Sequence, residues 1–222
     1  MTKTGDAARP DPRMDDERDM GDWARENGRR VALGLLGVAA AVGIYFAYTK
    51  AKEAKVGKAE AALTSAQRTA YTGNPALAQS DLRKVSSRYE GTPAAAQAQL
   101  LLAQLLFDEG KFTEGMAELD RASKSAPNEL KPAIEILRAA GLEEQQKYAE
   151  AAAAYLKAAE ASRFEADKNK LRADAARAYT EAGNKAEARK IWEELANDEN
   201  SSVSSEARVR LGELTATPST RG

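Results

Sequence analysis

LAQLLFDEGKFTEGMAELDRASKSAPN, residues 102–128, reads as two short helices split at Gly110 and closed by Ala126–Pro127–Asn128. The break recurs along the chain. Gly73, Gly110, Gln146 and Gly183 fall at intervals of 37, 36 and 37 residues. Small residues keep the same phase: Ala78, Gly115, Ala151 and Ala188 each follow five positions later. A period of this size marks a stacked solenoid, in which each unit buries its apolar face only against its neighbours. The expected fold is therefore all-α.

Worked outward from 102–128, the same punctuation predicts the remaining helices. Residues 49–72 carry a helical stripe of Ala61, Leu63, Ala66 and Ala70 and stop at Thr72–Gly73–Asn74–Pro75. A helix over about 76–89 places Leu77, Leu82 and Val85 inward and ends at Glu90–Gly91. Pairs follow over about 93–109 and 112–125, 131–145 and 148–162, and 168–182 and 185–197. Ser201–Ser202 caps a last helix over about 202–214. The repeat domain is thus expected to span 49–214, with 215–222 as a disordered tail.

Before the repeats lies VALGLLGVAAAVGIYFAY, residues 31–48, without a charge. At 1.5 Å per residue this is roughly 27 Å of helix, enough for a hydrocarbon core of about 30 Å. Arg29 and Arg30 abut one end; Tyr45, Phe46 and Tyr48, then Lys50 and Lys52, crowd the other, as interfacial anchors do. One transmembrane helix is expected, in preference to a buried core helix or a cleaved signal peptide. Gly37/Ala41 and Ala39/Gly43 form small-xxx-small pairs within it. Basic residues on the two flanks balance, so the positive-inside count leaves the orientation open. Residues 1–22 are rich in Asp and Arg and lack an apolar period, and residues 1–30 are expected to be a disordered tail.

Composition removes several classes of chemistry. The chain has no cysteine and no histidine, so disulfides, Cys/His metal sites and His-based acid–base pairs are absent. With 33 basic and 34 acidic residues, it carries no basic stripe of the kind nucleic acid requires. The pairs Glu143–Glu144 and Glu193–Glu194 point in two adjacent directions on a helix and read as solvated faces. No Gly-rich phosphate motif occurs. We expect no enzyme activity, no cofactor, no metal, no small-molecule substrate and no nucleic-acid partner.

Residues 102–128 resemble the tetratricopeptide repeat. Ala103 takes the small position of the first helix, Gly110 and Phe112 the turn, and Gly115 the small position of the second; Ala122 and Pro127 complete the unit. The third unit supplies Leu137, Ala139, Tyr148, Ala151, Tyr155 and Ala158, and the fourth Ala176, Tyr179, Gly183, Ala188 and Trp192. Gln146 and Lys185 depart from the usual glycine and aromatic, and the first unit keeps mainly Gly73, Ala78, Leu82 and Val85.

A second resemblance spans most of the chain: WARENGRR (23–30), one apolar span, a degenerate helical pair, RYEGTPAAAQAQLLLAQLLFDEGKF (88–112), and AARAYTEAGNKAEARKIWEEL (175–195). This order is similar to the ancillary SecYEG translocon subunit family, the YfgM-like proteins of bacterial inner membranes. The resemblance implies a cytoplasmic N-terminus, a single span, and a periplasmic repeat domain that associates with the translocon and with periplasmic chaperones. Arg29–Arg30 against the span fits that orientation. An envelope-assembly or peptidoglycan-linked adaptor has the same architecture, as does a cytoplasmic-side regulator of a membrane complex.

In a right-handed stack the first helix of each pair lines the concave face. Repeat phase places Gln97, Leu100, Gln104 and Phe107, then Ile136, Ala140 and Glu143, then Lys170, Arg177 and Thr180 on that face. The set runs from an apolar start at Leu100, Phe107 and Ile136 to a basic end at Lys170 and Arg177, suited to an extended peptide or a partner helix. On this reading Phe107→Asp weakens partner binding and leaves the fold intact. The set lacks the Lys/Asn pattern of a carboxylate clamp.

Overall fold

The computed structural model describes residues 12–198 and 200–215, and every regular element among them is helical. The disordered tails expected for residues 1–11 and 216–222 lie outside the described residues. The chain divides into two units, Met1–Ala54 and Lys55–Gly222. The first helix, α1 (Pro12–Tyr71), contributes residues to both.

In the first unit, helix begins at Pro12, inside the segment read as a disordered tail. Proline suits the first helical position because its fixed φ is preorganised and its missing N–H has no partner there. No glycine or second proline interrupts the next eight residues. Residues 31–48 are exposed throughout, Leu36 at 69% and Ile44 at 71%. That exposure excludes a buried core helix. The helix is long and apolar enough to cross a membrane.

The second unit stacks helical hairpins. The end of α1 pairs with α2 (Pro75–Arg88), α3 (Pro93–Asp108) with α4 (Phe112–Ser125), α5 (Lys131–Glu144) with α6 (Tyr148–Ala161), and α7 (Glu165–Glu181) with α8 (Lys185–Asn197). Helix α9 (Ser204–Thr215) packs on α8 and closes the array. It starts two residues later than expected, because Ser201 Oγ caps a turn by accepting from the Val203 N–H at 3.3 Å. Thr215, read as the start of the tail, is its last residue.

The repeat phase has a direct structural meaning. Gly73, Gly110, Gln146 and Gly183 all have positive φ, from 60° to 80°. At the last three, the residue itself and its successor donate hydrogen bonds back to the preceding helix. Gly110 and Lys111 donate to Phe107 and Leu106, Gln146 and Lys147 to Glu143 and Leu142, and Gly183 and Asn184 to Thr180 and Tyr179. This double closure satisfies carbonyls at the helix end and requires a left-handed residue there. The next helix begins two residues later, and the small residue five positions after the break is buried in each unit.

Gln146 is the one non-glycine with positive φ among the described residues. A side chain in the left-handed region costs roughly 1–2 kcal/mol, partly offset by the extra freedom glycine has when unfolded. Gln146→Gly is therefore expected to stabilise the domain by about 0.5–1 kcal/mol, raising its melting temperature by roughly 1–4 °C. A melt of the detergent-solubilised protein checks this; a lower melting temperature contradicts it.

Ala59, Leu63 and Ala66 pack with Leu82, Val85, Leu102 and Leu106 in the first part of the core. Phe107, Leu119, Ala122 and Ile134 form the middle, and Ala151, Ala176, Ala188, Ile191, Trp192 and Leu195 belong to the last part. Two expected core positions differ. Leu77 is largely exposed, since it follows Asn74, whose side chain caps α2 by accepting from the Leu77 N–H, and faces outward in the first turn. Ala61 is exposed because the buried stripe of α1 runs through Ala59, Leu63 and Ala66.

Candidate partner-binding groove

Helices α5 and α7 each pack along α6 but make almost no direct contact with one another. A cavity of about 550 Å³ opens between their N-terminal portions, closed at one end by the turn Ser162–Phe164 after α6. Pro132, Ala133 and Ile136 on α5, Leu171 on α7 and Phe164 in the turn give it an apolar surface. Ile136 is 40% exposed and Phe164 is 70% exposed. Large side chains held open to solvent around a cavity are the pattern of an interaction site.

The charges around it are of two kinds. Arg163 faces Glu129 at 3.8 Å, and Asp174 pairs with Arg177 on its own helix. Asp167 and Lys170, both on the α7 wall, take part in no ion pair or hydrogen bond of their side chains among the described residues.

Of the ten residues placed on the concave face by repeat phase, the cavity brings together Ile136 and Lys170. Arg177 and Thr180 line a second pocket of about 310 Å³, with Trp192 and with Arg210, Glu213 and Leu214 of α9. Arg177 also pairs with Glu206 of α9. Burial opposes its charge, but hydrogen bonds to Asp174 and Glu206 prevail and hold its pKa above the ordinary value. It is a strut between α7 and α9, so the expected basic end of the groove reduces to Lys170. Glu143 is half-buried and accepts a hydrogen bond from the Tyr155 hydroxyl at 3.1 Å. Burial, reinforced by that carboxylate, pushes the Tyr155 phenol well above its usual pKa. Ala140 is half-buried, Leu100 packs against the middle core, and Gln97 and Gln104 are exposed.

Phe107 is corrected. It is 3% exposed, stacked on Phe112 with ring centroids 5.8 Å apart, and belongs to the core. The reason lies in two glycines. A Cβ on Gly115 would sit 2.4 Å from the Phe107 ring, and one on Gly141 2.7 Å from its other edge. Their missing side chains leave the slot that the ring fills. Phe164, by contrast, went unread in the sequence, although a large aromatic between helices and outside any apolar stripe is a signal for such a site.

Residues 22–216 match the model of the Tetratricopeptide repeat-like domain. The chain belongs to that family. Solved tetratricopeptide-type structures share its fold. One, the nearly identical TPR-like repeats assigned to a kinesin light chain of Podosopora anserina, is 16% identical with a TM-score of 0.53, over 71% of this chain and 85% of that one. Another, the MamA RS-1 ArsTM double mutant, is 14% identical with a TM-score of 0.50, over 71% of this chain and 94% of that one. At such identities the likeness concerns the fold alone. No curated protein matches the chain. Tetratricopeptide repeat-like domains generally bind proteins, and the α5–α7 groove is where this one exposes apolar side chains around a cavity.

Proposed function

We propose that this protein is a membrane-anchored protein-interaction scaffold, tethered through residues 31–48, whose α5–α7 groove receives the partner. The observation that carries the reading is the pairing of Ile136 with Phe164 around an open cavity, in a family that binds proteins. In its finer form it is an ancillary translocon component of the bacterial inner membrane. Its N-terminus is cytoplasmic, and its periplasmic repeats link SecYEG to periplasmic chaperones. That form rests on the resemblance through WARENGRR, the single span and the order of units. It assigns no catalytic residue.

Site-specific photocrosslinking from position 164 of the full-length protein in its own membrane tests the reading. SecYEG subunits or periplasmic chaperones among the adducts are expected. Adducts with outer-membrane assembly or peptidoglycan factors would replace the translocon with the adaptor reading. A topology reporter after Gly222 that is active in the cytoplasm would reverse the orientation. Ile136→Asp and Phe164→Asp place a charge on exposed carbons, so the melting temperature is expected to hold while partner recovery falls about tenfold or more. Recovery equal to wild type would move the partner to another face.

A further inference from the structure

We infer that the occupant of the α5–α7 groove is an amphipathic α-helix whose apolar stripe is bordered by one basic and one acidic side chain, one turn apart; this rests on the groove reading above. The charges that line the cavity sort themselves. Glu129 with Arg163, and Asp174 with Arg177, are already paired within the protein. Asp167 and Lys170 are left, of opposite sign and three residues apart on one wall.

Their spacing bears on the occupant's shape. Three residues of helix rise about 4.5 Å, and side chains at that interval share a face. A second helix offers the same interval. An extended peptide carries same-side residues about 6.7 Å apart, a poorer match to this interval than a helix, and its adjacent residues point to opposite sides. The gap left by α5 and α7 is bounded on the α5 side by Pro132 and Ile136 and on the α7 side by Leu171. A helix seated there has its apolar stripe on these and its charged border on Asp167 and Lys170.

The protein displays this kind of docking once already. Helix α9 packs by Ala207 and Leu211 against the end of the array, and its Glu206 pairs with Arg177 of α7. Arg177 lies seven residues, about two turns, beyond Lys170 on that helix. The downstream half of the α7 charge row therefore holds an acidic side chain from a packed helix, and the upstream half is open.

Full-length protein in micelles is titrated with fluorescent, helix-stapled synthetic peptides sharing one leucine stripe. One peptide has Lys and Glu three residues apart on the border, one has Glu and Lys in the reverse order, and one has Gln at both positions. A fourth has a central proline that prevents helix. We expect one charged order to bind about threefold to tenfold more tightly than the Gln peptide at low salt. That margin should vanish in 1 M NaCl and in the Asp167→Asn, Lys170→Gln double variant. Equal affinity for charged and Gln peptides, with binding lost in Phe164→Asp, overturns the charge match and leaves the groove standing. Equal affinity for the proline peptide overturns the helical occupant. No binding of any peptide overturns the proposal, and crosslinking from position 164 then judges the groove by itself.

Discussion

Phe107→Asp is expected to unfold the repeat domain. Truncating a buried phenylalanine costs about 3–5 kcal/mol through lost transfer energy and the cavity left behind. An aspartate there adds a carboxylate without a cationic partner among Leu119, Ala122 and Ile134, at a cost of several kcal/mol more or of its own protonation. The sum is comparable with the whole stability of a typical domain, about 5–15 kcal/mol. The surroundings offer no relief, since the ring fills a slot cut by Gly115 and Gly141 on two different helices. Circular dichroism of the solubilised variant should show a collapsed or absent melting transition. A melting temperature equal to wild type would mean that Phe107 stands in solvent.

Trp192→Ala is expected to lower stability by about 3–5 kcal/mol, or roughly 10 °C in melting temperature. Trp192 is 1% exposed and heads the fully buried side chains by volume. It shares a core with Ile191, Leu195 and Ala207, where the last hairpin meets α9. An alanine would leave a cavity at the junction that closes the array, and exposed apolar surface at the end of a solenoid favours aggregation. The chain has two tryptophans, and Trp23 lies in the other unit, largely exposed. In a Trp23→Phe background the emission therefore reports this junction alone. A loss below 1 kcal/mol would contradict the burial.

The helical pairs were legible in the sequence because one backbone event repeats. A left-handed residue closes each first helix, and glycine is the residue that adopts it without strain, so Gly73, Gly110 and Gly183 mark the phase. Gln146 keeps the conformation without the residue type, and the constant spacing exposes it. The small residues five positions later were legible for a similar reason, being forced by close approach of helices. The groove was only partly legible. Phe107 and Ile136 are both apolar and sit on first helices, and periodicity cannot tell a ring enclosed by two glycines from a side chain facing a gap. That gap depends on how far neighbouring first helices stand apart, which a one-dimensional pattern does not encode. The strut made by Arg177 was hidden because one of its two acceptors, Glu206, lies 29 residues away on α9. The helix from Pro12 was missed because a charged segment without an apolar stripe gives periodicity nothing to register.

Helices α4 and α5 touch less than the members of the α3–α4, α5–α6 and α7–α8 hairpins, so the joint after the second hairpin is thinly packed. What spans it is Phe107, whose ring reaches Gly141 of α5, Ile134 of α5 packed with Leu119 and Ala122 of α4, and Arg138 of α5 bonded to Asp120 of α4 at 2.9 Å. In a linear array each element is coupled only to its neighbours, and cooperativity is limited by the weakest coupling. The joint is therefore a place where partial opening of the array is expected. Both walls of the groove lie on the same side of the joint, because α5 and α7 each pack along α6. Opening at the joint would therefore swing the groove as one piece and leave the spacing of its two walls unchanged.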